Sequence, residues 1–120
     1  RQVVRNLVSN AVKYHQADKQ ATIAVLLHRI DDACFEIVVD DTPNGLGMTK
    51  SDLEALESGQ PFWRAEAAKT VASGTGLGIQ LSRRLVERSG GQLRYDSEFG
   101  SGTIATIRLP YSLRPDTDAI

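Results

Sequence analysis

The sequence is most constrained at Ser73-Gly74-Thr75-Gly76-Leu77-Gly78-Ile79, which runs unbroken into Gln80-Leu81-Ser82-Arg83-Arg84-Leu85-Val86-Glu87-Arg88. Three glycines at alternate positions leave a loop without side-chain bulk where an amphipathic helix opens. Leu77, Leu81 and Leu85 recur every four residues and mark its apolar face, with Arg83, Arg84, Glu87 and Arg88 for the wet side. Gly90-Gly91 reads as the C-terminal cap, and the basic residues in the last turns suit the negative end of the dipole. At the other end, unpaired backbone N–H groups and the positive dipole face the glycines, which makes an anion site, most commonly one for phosphate. Taken alone, the same loop reads equally well as a flexible glycine-rich turn. It matches neither G-x-x-x-x-G-K-[ST] nor G-x-G-x-x-G after a strand, so a nucleotide here is held in another way.

The chain has 120 residues, 41% of them hydrophobic and 24% charged, as expected of one globular domain with a sizeable core. A net charge of −1 gives no basic surface for nucleic acid or anionic lipid. No apolar run approaches the ~20 residues of a membrane span, and no signal peptide opens the chain. Cys34 is the only cysteine, which excludes an internal disulfide and fits a reducing, cytoplasmic setting. Opening on Arg1 in mid-pattern, the chain reads as a domain excised from a longer protein.

Residues 1–15 read as a helix with Val4, Leu7, Val8 and Ala11 on the core face. Asn6, Asn10 and Lys13 form a separate polar stripe. Asparagine is a poor helix former, so two on one stripe suggest a use: amide oxygens suit Mg²⁺, and a lysine one turn on meets phosphate. A plain solvated face is the competing explanation. A hairpin is expected from 21–30 and 33–40 about Asp31-Asp32, with Phe35, Ile37 and Val39 alternating. His15, His28 and Cys34 read as structural.

Asp40-Asp41-Thr42-Pro43-Asn44-Gly45-Leu46-Gly47-Met48 follows the second strand. A carboxylate at a strand end before a glycine turn can accept from an exocyclic amine, though a simple Pro/Gly turn explains it as well. Ser51-Asp52-Leu53-Glu54 has a capping-box pattern opening a short helix to about Glu57. Residues 58–75 lack a period and look like a lid carrying Phe62, Trp63, Arg64 and Lys69. After the long helix, Gln92–Tyr95 and Thr103–Leu109 read as strands joined by a turn over 97–102, with Pro110 stopping the second. The tail 111–120 reads as frayed. The fold class is therefore α+β: helices on one face of a mixed, mostly antiparallel sheet, with a domain over 1–110 and a tail over 111–120.

In this order, the segments resemble the ATP-binding catalytic domain of bacterial sensor histidine kinases, within the wider Bergerat-fold ATPases. NLVSNAVKY resembles the asparagine box, NGLGM the end of the first glycine box, PFWR the phenylalanine box and SGTGLGI the second glycine box. GGQLRYDSEFGSGTIATIRLP resembles the closing segment, and its GxGT…LP pattern favours histidine kinases over other branches. Each is weak alone, but together they cover nearly the whole chain.

The resemblance implies ATP and Mg²⁺ as cofactors. It places Asn10 as the metal ligand, Asn6 beside the γ-phosphate, Lys13 on phosphate and Tyr14 along the nucleoside. Gly74, Thr75, Gly76, Leu77 and Gly78 form the phosphate loop, Arg64 is the lid arginine, and Gly45 and Gly47 belong to the first glycine box. Two departures stand out. The family's adenine-reading aspartate falls where this chain has Pro43, so the loop carries an insertion; Asp41 is expected to be returned to the base by a bulge, with Asn44 as the other candidate. The family's strand before the asparagine box lies outside the chain, so a sheet edge is expected to be missing or exposed.

The implied reaction is phosphoryl transfer from Mg-ATP to a histidine on a separate dimerisation domain, with a response regulator downstream and a homodimeric full-length protein. No nucleic acid or membrane contact is implied for the domain itself. Neither His15 nor His28 has the acceptor's setting. The alternatives are an anti-sigma-type serine/threonine kinase, a degenerate nucleotide-binding module and, last, a gyrase-like ATPase.

Overall fold

The computed structural model describes residues 2–58, 77–111 and 120, with the backbone course alone at 77–80. Helix α1 (Gln2–Lys13) buries Val3, Leu7 and Ala11, while Val4 and Val8 pack at the margin of the core. The buried line is thus rotated about one position from the expected one, toward Val3. A hairpin follows, β1 (Ala24–Arg29) and β2 (Cys34–Asp40). Its turn is held by Asp31, whose Oδ1 accepts from the N–H groups of Ala33 (2.7 Å) and Cys34 (3.0 Å). Those donors favour the carboxylate and lower the Asp31 pKa from its usual value.

Helix α2 (Lys50–Glu57) is opened by a capping box, but two residues earlier than the expected Ser51–Glu54 pair. Thr49 Oγ1 accepts from Asp52 N–H at 3.1 Å, and Asp52 Oδ2 accepts from Thr49 N–H at 3.0 Å. Gly47, with φ of 74°, turns the chain just before, so the helix starts at Lys50 and Thr49 becomes its cap.

Helix α3 (Leu77–Arg88) ends as its glycines predict. Gly90 has φ of 87°, Gly91 N–H reaches Val86 O and Gly90 N–H reaches Glu87 O, both at 3.0 Å. The face it buries differs from the expected leucine line. Leu81 is 40% exposed, and Ser82, Val86 and Ser89 are buried with Leu85 beside them. Four residues advance a helix about 40° beyond one full turn, so an every-fourth series winds off any one face. The alternating four-and-three spacing of 82, 86 and 89 does not, and its serines are small enough for close approach to the sheet.

Strands β3 (Gln92–Glu98) and β4 (Gly102–Pro110) complete a sheet of order β1-β2-β4-β3, antiparallel at every described ladder. The mostly antiparallel sheet is as expected, with two boundary corrections. β3 runs past Tyr95 and takes Ser97 and Glu98 out of the expected turn. Pro110 lies in β4 opposite Cys34, and pairing continues one step beyond it through Tyr111 N–H to Ala33 O at 3.0 Å. A proline at the last position of a strand removes little from the ladder.

Alternation along the strands puts Val39, Leu93, Ala105, Ile107 and Leu109 toward the helices, where they meet Val3, Leu7 and Val86. On the opposite face Glu36 lies between His28 (Nε2 to Oε1, 3.2 Å) and Arg108 (Nη2 to Oε2, 3.0 Å), a structural use for His28. β1 is the outer strand beside β2, exposed at all six positions, with Leu27 at 71%. Ile120 corrects the expectation for the tail: it is buried in the core cluster, and its carbonyl accepts from Val4 N–H (3.0 Å) in the first turn of α1. Residues 112–119 lie outside those described.

Candidate nucleotide site

The end of the sheet where β2 leaves and β4 enters holds a buried carboxylate. Asp41 continues the β2–β4 ladder by one pair: its N–H donates to Thr103 O at 3.1 Å, and Thr103 N–H donates to its Oδ1 at 2.5 Å. Two glycines close on it. A Cβ on Gly45 would lie 2.3–2.7 Å from the Asp41 carboxylate atoms, and one on Gly102 would lie 2.5 Å from Oδ1. Only glycine permits either wall to stand that close. Burial raises the Asp41 pKa above its usual value; the Thr103 N–H opposes this and the neighbouring Asp40 charge adds to it.

The turn after Asp41 loops outward, with Pro43 exposed. Gly45 N–H bonds back to Asp41 O at 2.8 Å, closing Thr42-Pro43-Asn44 into a single loop above the carboxylate. Thr42 is held at its base by Asp40 Oδ1, through N–H at 2.8 Å and hydroxyl at 2.6 Å. The Asn44 amide donates to Gln20 O (3.0 Å) and Thr22 Oγ1 (3.2 Å) in the connector before β1. Asp41, by contrast, sits inside the glycine walls.

Helix α1 reaches this end through its C-terminus. Leu46 N–H donates to Tyr14 O at 2.8 Å, and His15 forms an isolated bridge with Gly45. Tyr14, Asp41, Gly45 and Gly47 therefore share one neighbourhood. Gly47 meets the β3–β4 turn, where a Cβ would lie 2.0 Å from Glu98 O. Asn6 and Asn10 are half-buried and Lys13 is exposed, on the stripe of α1 that the spacing predicted. Among the described residues no group of three or more His, Cys, Asp or Glu side chains converges. The available hard donor on α1 is therefore an amide oxygen. One such ligand suits Mg²⁺, which keeps most of its shell for water and phosphate oxygens. Leu77 and Gly78 form the first residues of α3; Arg64, Gly74, Thr75 and Gly76, with the lid residues Phe62, Trp63 and Lys69, lie outside the described residues.

Three residues at this end were not singled out from the sequence. Thr103 supplies the N–H on Asp41. Ser97 Oγ pairs with Thr103 Oγ1 at 2.7 Å and accepts from Met48 N–H at 2.8 Å, joining β3, β4 and the glycine turn. Gln16 bonds to both the glycine turn and the β3–β4 turn. The GSGT run marks the neighbourhood of Thr103, but nothing in the polar connector distinguishes Gln16.

Known proteins resemble this chain in sequence and fold. Residues 1–113 match the family described as "Histidine kinase-, DNA gyrase B-, and HSP90-like ATPase". The chain is 41% identical over 115 residues to the histidine protein kinase DivJ of Caulobacter vibrioides, covering 96% of this chain and 18% of that protein. It is 32% identical over 118 residues to the sensor histidine kinase WalK of Bacillus subtilis, covering 98% and 18%. It thus spans about a fifth of the length of these relatives. Among solved structures, the mycobacterial sensor histidine kinase MprB superposes with a TM-score of 0.75 at 27% identity, over 91% of this chain and 70% of that one. No described helix is long and apolar enough to cross a membrane. With this fold, the family match over nearly its whole length and relatives of this kind, the chain belongs to the histidine kinase-, DNA gyrase B- and HSP90-like ATPases, a family of ATP-binding domains.

Proposed function

We propose that this chain is the catalytic domain of a sensor histidine kinase, binding Mg-ATP and passing its γ-phosphate to a histidine on a separate dimerisation domain. The observation that carries this reading is the buried Asp41 carboxylate between Gly45 and Gly102. With Oδ1 taken by Thr103 N–H, Oδ2 is the acceptor for the exocyclic amine of adenine. Tyr14 lines the nucleoside, and the stripe Asn6–Asn10–Lys13 runs along α1 toward the phosphates. By the resemblance, the backbone N–H groups of Gly74, Thr75, Gly76, Leu77 and Gly78 would hold the phosphates, and Arg64 would serve the γ-phosphate.

Asn10 would hold the Mg²⁺, whose chemistry is to neutralise charge on the β- and γ-phosphate oxygens. The work of the chain's own residues is positioning: Asp41 sets the base, Lys13 and the loop amides set the phosphates, and the γ-phosphorus is presented outward. An imidazole nitrogen lone pair of the acceptor forms the new P–N bond as the bond from the γ-phosphorus to the bridging oxygen breaks, and ADP leaves with that electron pair. The acceptor is outside this chain. A response regulator would then receive the phosphoryl group, within a cytoplasmic, dimeric full-length kinase.

The test is transfer of labelled γ-phosphate from ATP to a histidine-bearing dimerisation domain, with Asp41→Ala and Asn10→Ala in parallel. A product labile to acid and stable to alkali, lost in both variants, is expected. An acid-stable phosphoester would move the assignment to a serine/threonine kinase. A folded chain that binds no ATP would end it.

A further inference from the structure

The two walls of the Asp41 slot come from segments far apart in sequence, residues 43–45 and 100–102. One side chain clips them together. Gln16 Nε2 donates to Gly100 O at 2.8 Å, Pro43 O at 3.1 Å and Gly45 O at 3.3 Å. Its backbone N–H adds a bond to Asn44 O at 2.9 Å. An amide nitrogen has two hydrogens, so three carbonyls share them, and all three belong to turns rather than to the sheet.

We infer that Gln16 is a positioning residue for base recognition: by holding the inserted turn against the β3–β4 turn, it keeps the walls of the Asp41 slot at the spacing that aims the carboxylate at the base. The inference rests on reading Asp41 as the base contact. Gly45 carries one of the clipped carbonyls and also stands against the Asp41 carboxylate, while Gly100 lies two residues before Gly102, the other wall. Without the clip, the longer turn has more conformations available, and Asp41 is aimed in only some of them. A contact so diluted loses affinity and, more tellingly, discrimination, because specificity depends on buried polar groups held in one geometry. Among the described residues, the Gln16 side chain bonds only to these two turns.

The experiment measures binding of ATP, inosine triphosphate and tripolyphosphate by calorimetry to the chain and to Gln16→Met, Gln16→Ala and Asp41→Ala, each checked by urea unfolding. Inosine triphosphate carries a carbonyl in place of the amine, and methionine keeps the volume of glutamine without its donors. The expected result is a preference for ATP over inosine triphosphate reduced about three- to tenfold in the Gln16 variants, the factor one net hydrogen bond represents. Tripolyphosphate binding stays unchanged. A parallel loss for all three ligands would make Gln16 merely structural and overturn the inference. So would an intact preference in a folded Gln16→Met chain while Asp41→Ala abolishes it, leaving the role of Asp41 standing. If Asp41→Ala also leaves the preference untouched, the reading of Asp41 falls and the inference with it.

Discussion

Replacing Asp41 by asparagine should move binding and stability in opposite directions. The side chain is buried, and its burial raises the folded-state pKa above the usual value. A raised carboxyl pKa means that the native state holds its proton more tightly than the unfolded chain. Below the unfolded pKa the two states are protonated alike and Asp41 costs nothing. As pH rises through the window from the unfolded to the folded pKa, the unfolded state ionises first and stability falls. At neutral pH the wild type therefore bears the full desolvation of a buried charge, which Asp41→Asn lacks. The variant keeps an Oδ1 acceptor for Thr103 N–H, whose present bond is 2.5 Å.

Binding responds differently. With Oδ1 on Thr103, the asparagine presents an NH₂ where Oδ2 had been, opposing a donor to the amine of adenine. A hydrogen bond to a charged group contributes about 1.5–3 kcal/mol, so ATP should bind roughly 10- to 100-fold more weakly. Calorimetry reads the affinity, and urea unfolding between about pH 4 and about pH 7 reads the stability difference, which should grow in the variant's favour as pH rises. ATP binding within twofold of wild type would remove Asp41 from base recognition. A variant less stable than wild type at neutral pH would refute the desolvation argument.

Gly47→Ala places a Cβ 2.0 Å from Glu98 O at a residue with φ of 74°. Left-handed backbone costs about 1–2 kcal/mol and the overlap about 1–3 kcal/mol, so the unfolding free energy should drop by roughly 2–5 kcal/mol in all, read as a lower urea midpoint. No drop would mean that the glycine turn relaxes freely. Tyr95 has a buried hydroxyl without a hydrogen-bond partner among the described residues and a pKa pushed up to about 12 by burial. Tyr95→Phe should be neutral or more stable by about 1 kcal/mol, whereas a clear loss of stability would show that the hydroxyl is satisfied in solution. In the wild type, the stability that Tyr95 contributes by staying neutral is whole below pH 10 and lost as pH rises toward about 12, visible as tyrosinate absorbance appearing with unfolding. Asn10→Ala should make ATP binding insensitive to chelation of Mg²⁺, measured by calorimetry with and without a chelator; retained metal dependence would place the ligand elsewhere.

Much of this protein is legible along the chain because its determinants are local. The end of α3 depends on a left-handed residue next to the helix, and Gly90-Gly91 announces it. The polar stripe Asn6–Asn10–Lys13 follows from 3.6-residue periodicity, and the β3–β4 hairpin from alternation. The fold family follows from five short motifs in order, and the matched family bears it out. Where locality fails, so does the sequence. Spacing alone could not say which line of α3 is buried, because the sheet selects Ser82, Val86 and Ser89 and leaves Leu81 exposed. The tail residue Ile120 gains its place only from the core cluster it joins and an orphan N–H that α1 provides. Asp41 is one of two adjacent aspartates in the sequence. Its burial, its glycine walls and its clip at Gln16 join residues 16, 41, 45 and 102, and only the packing of turns from opposite ends of the chain puts one carboxylate among them. Periodicity and capping act over a few residues, whereas burial and hydrogen-bond partnership across turns are properties of the assembled fold.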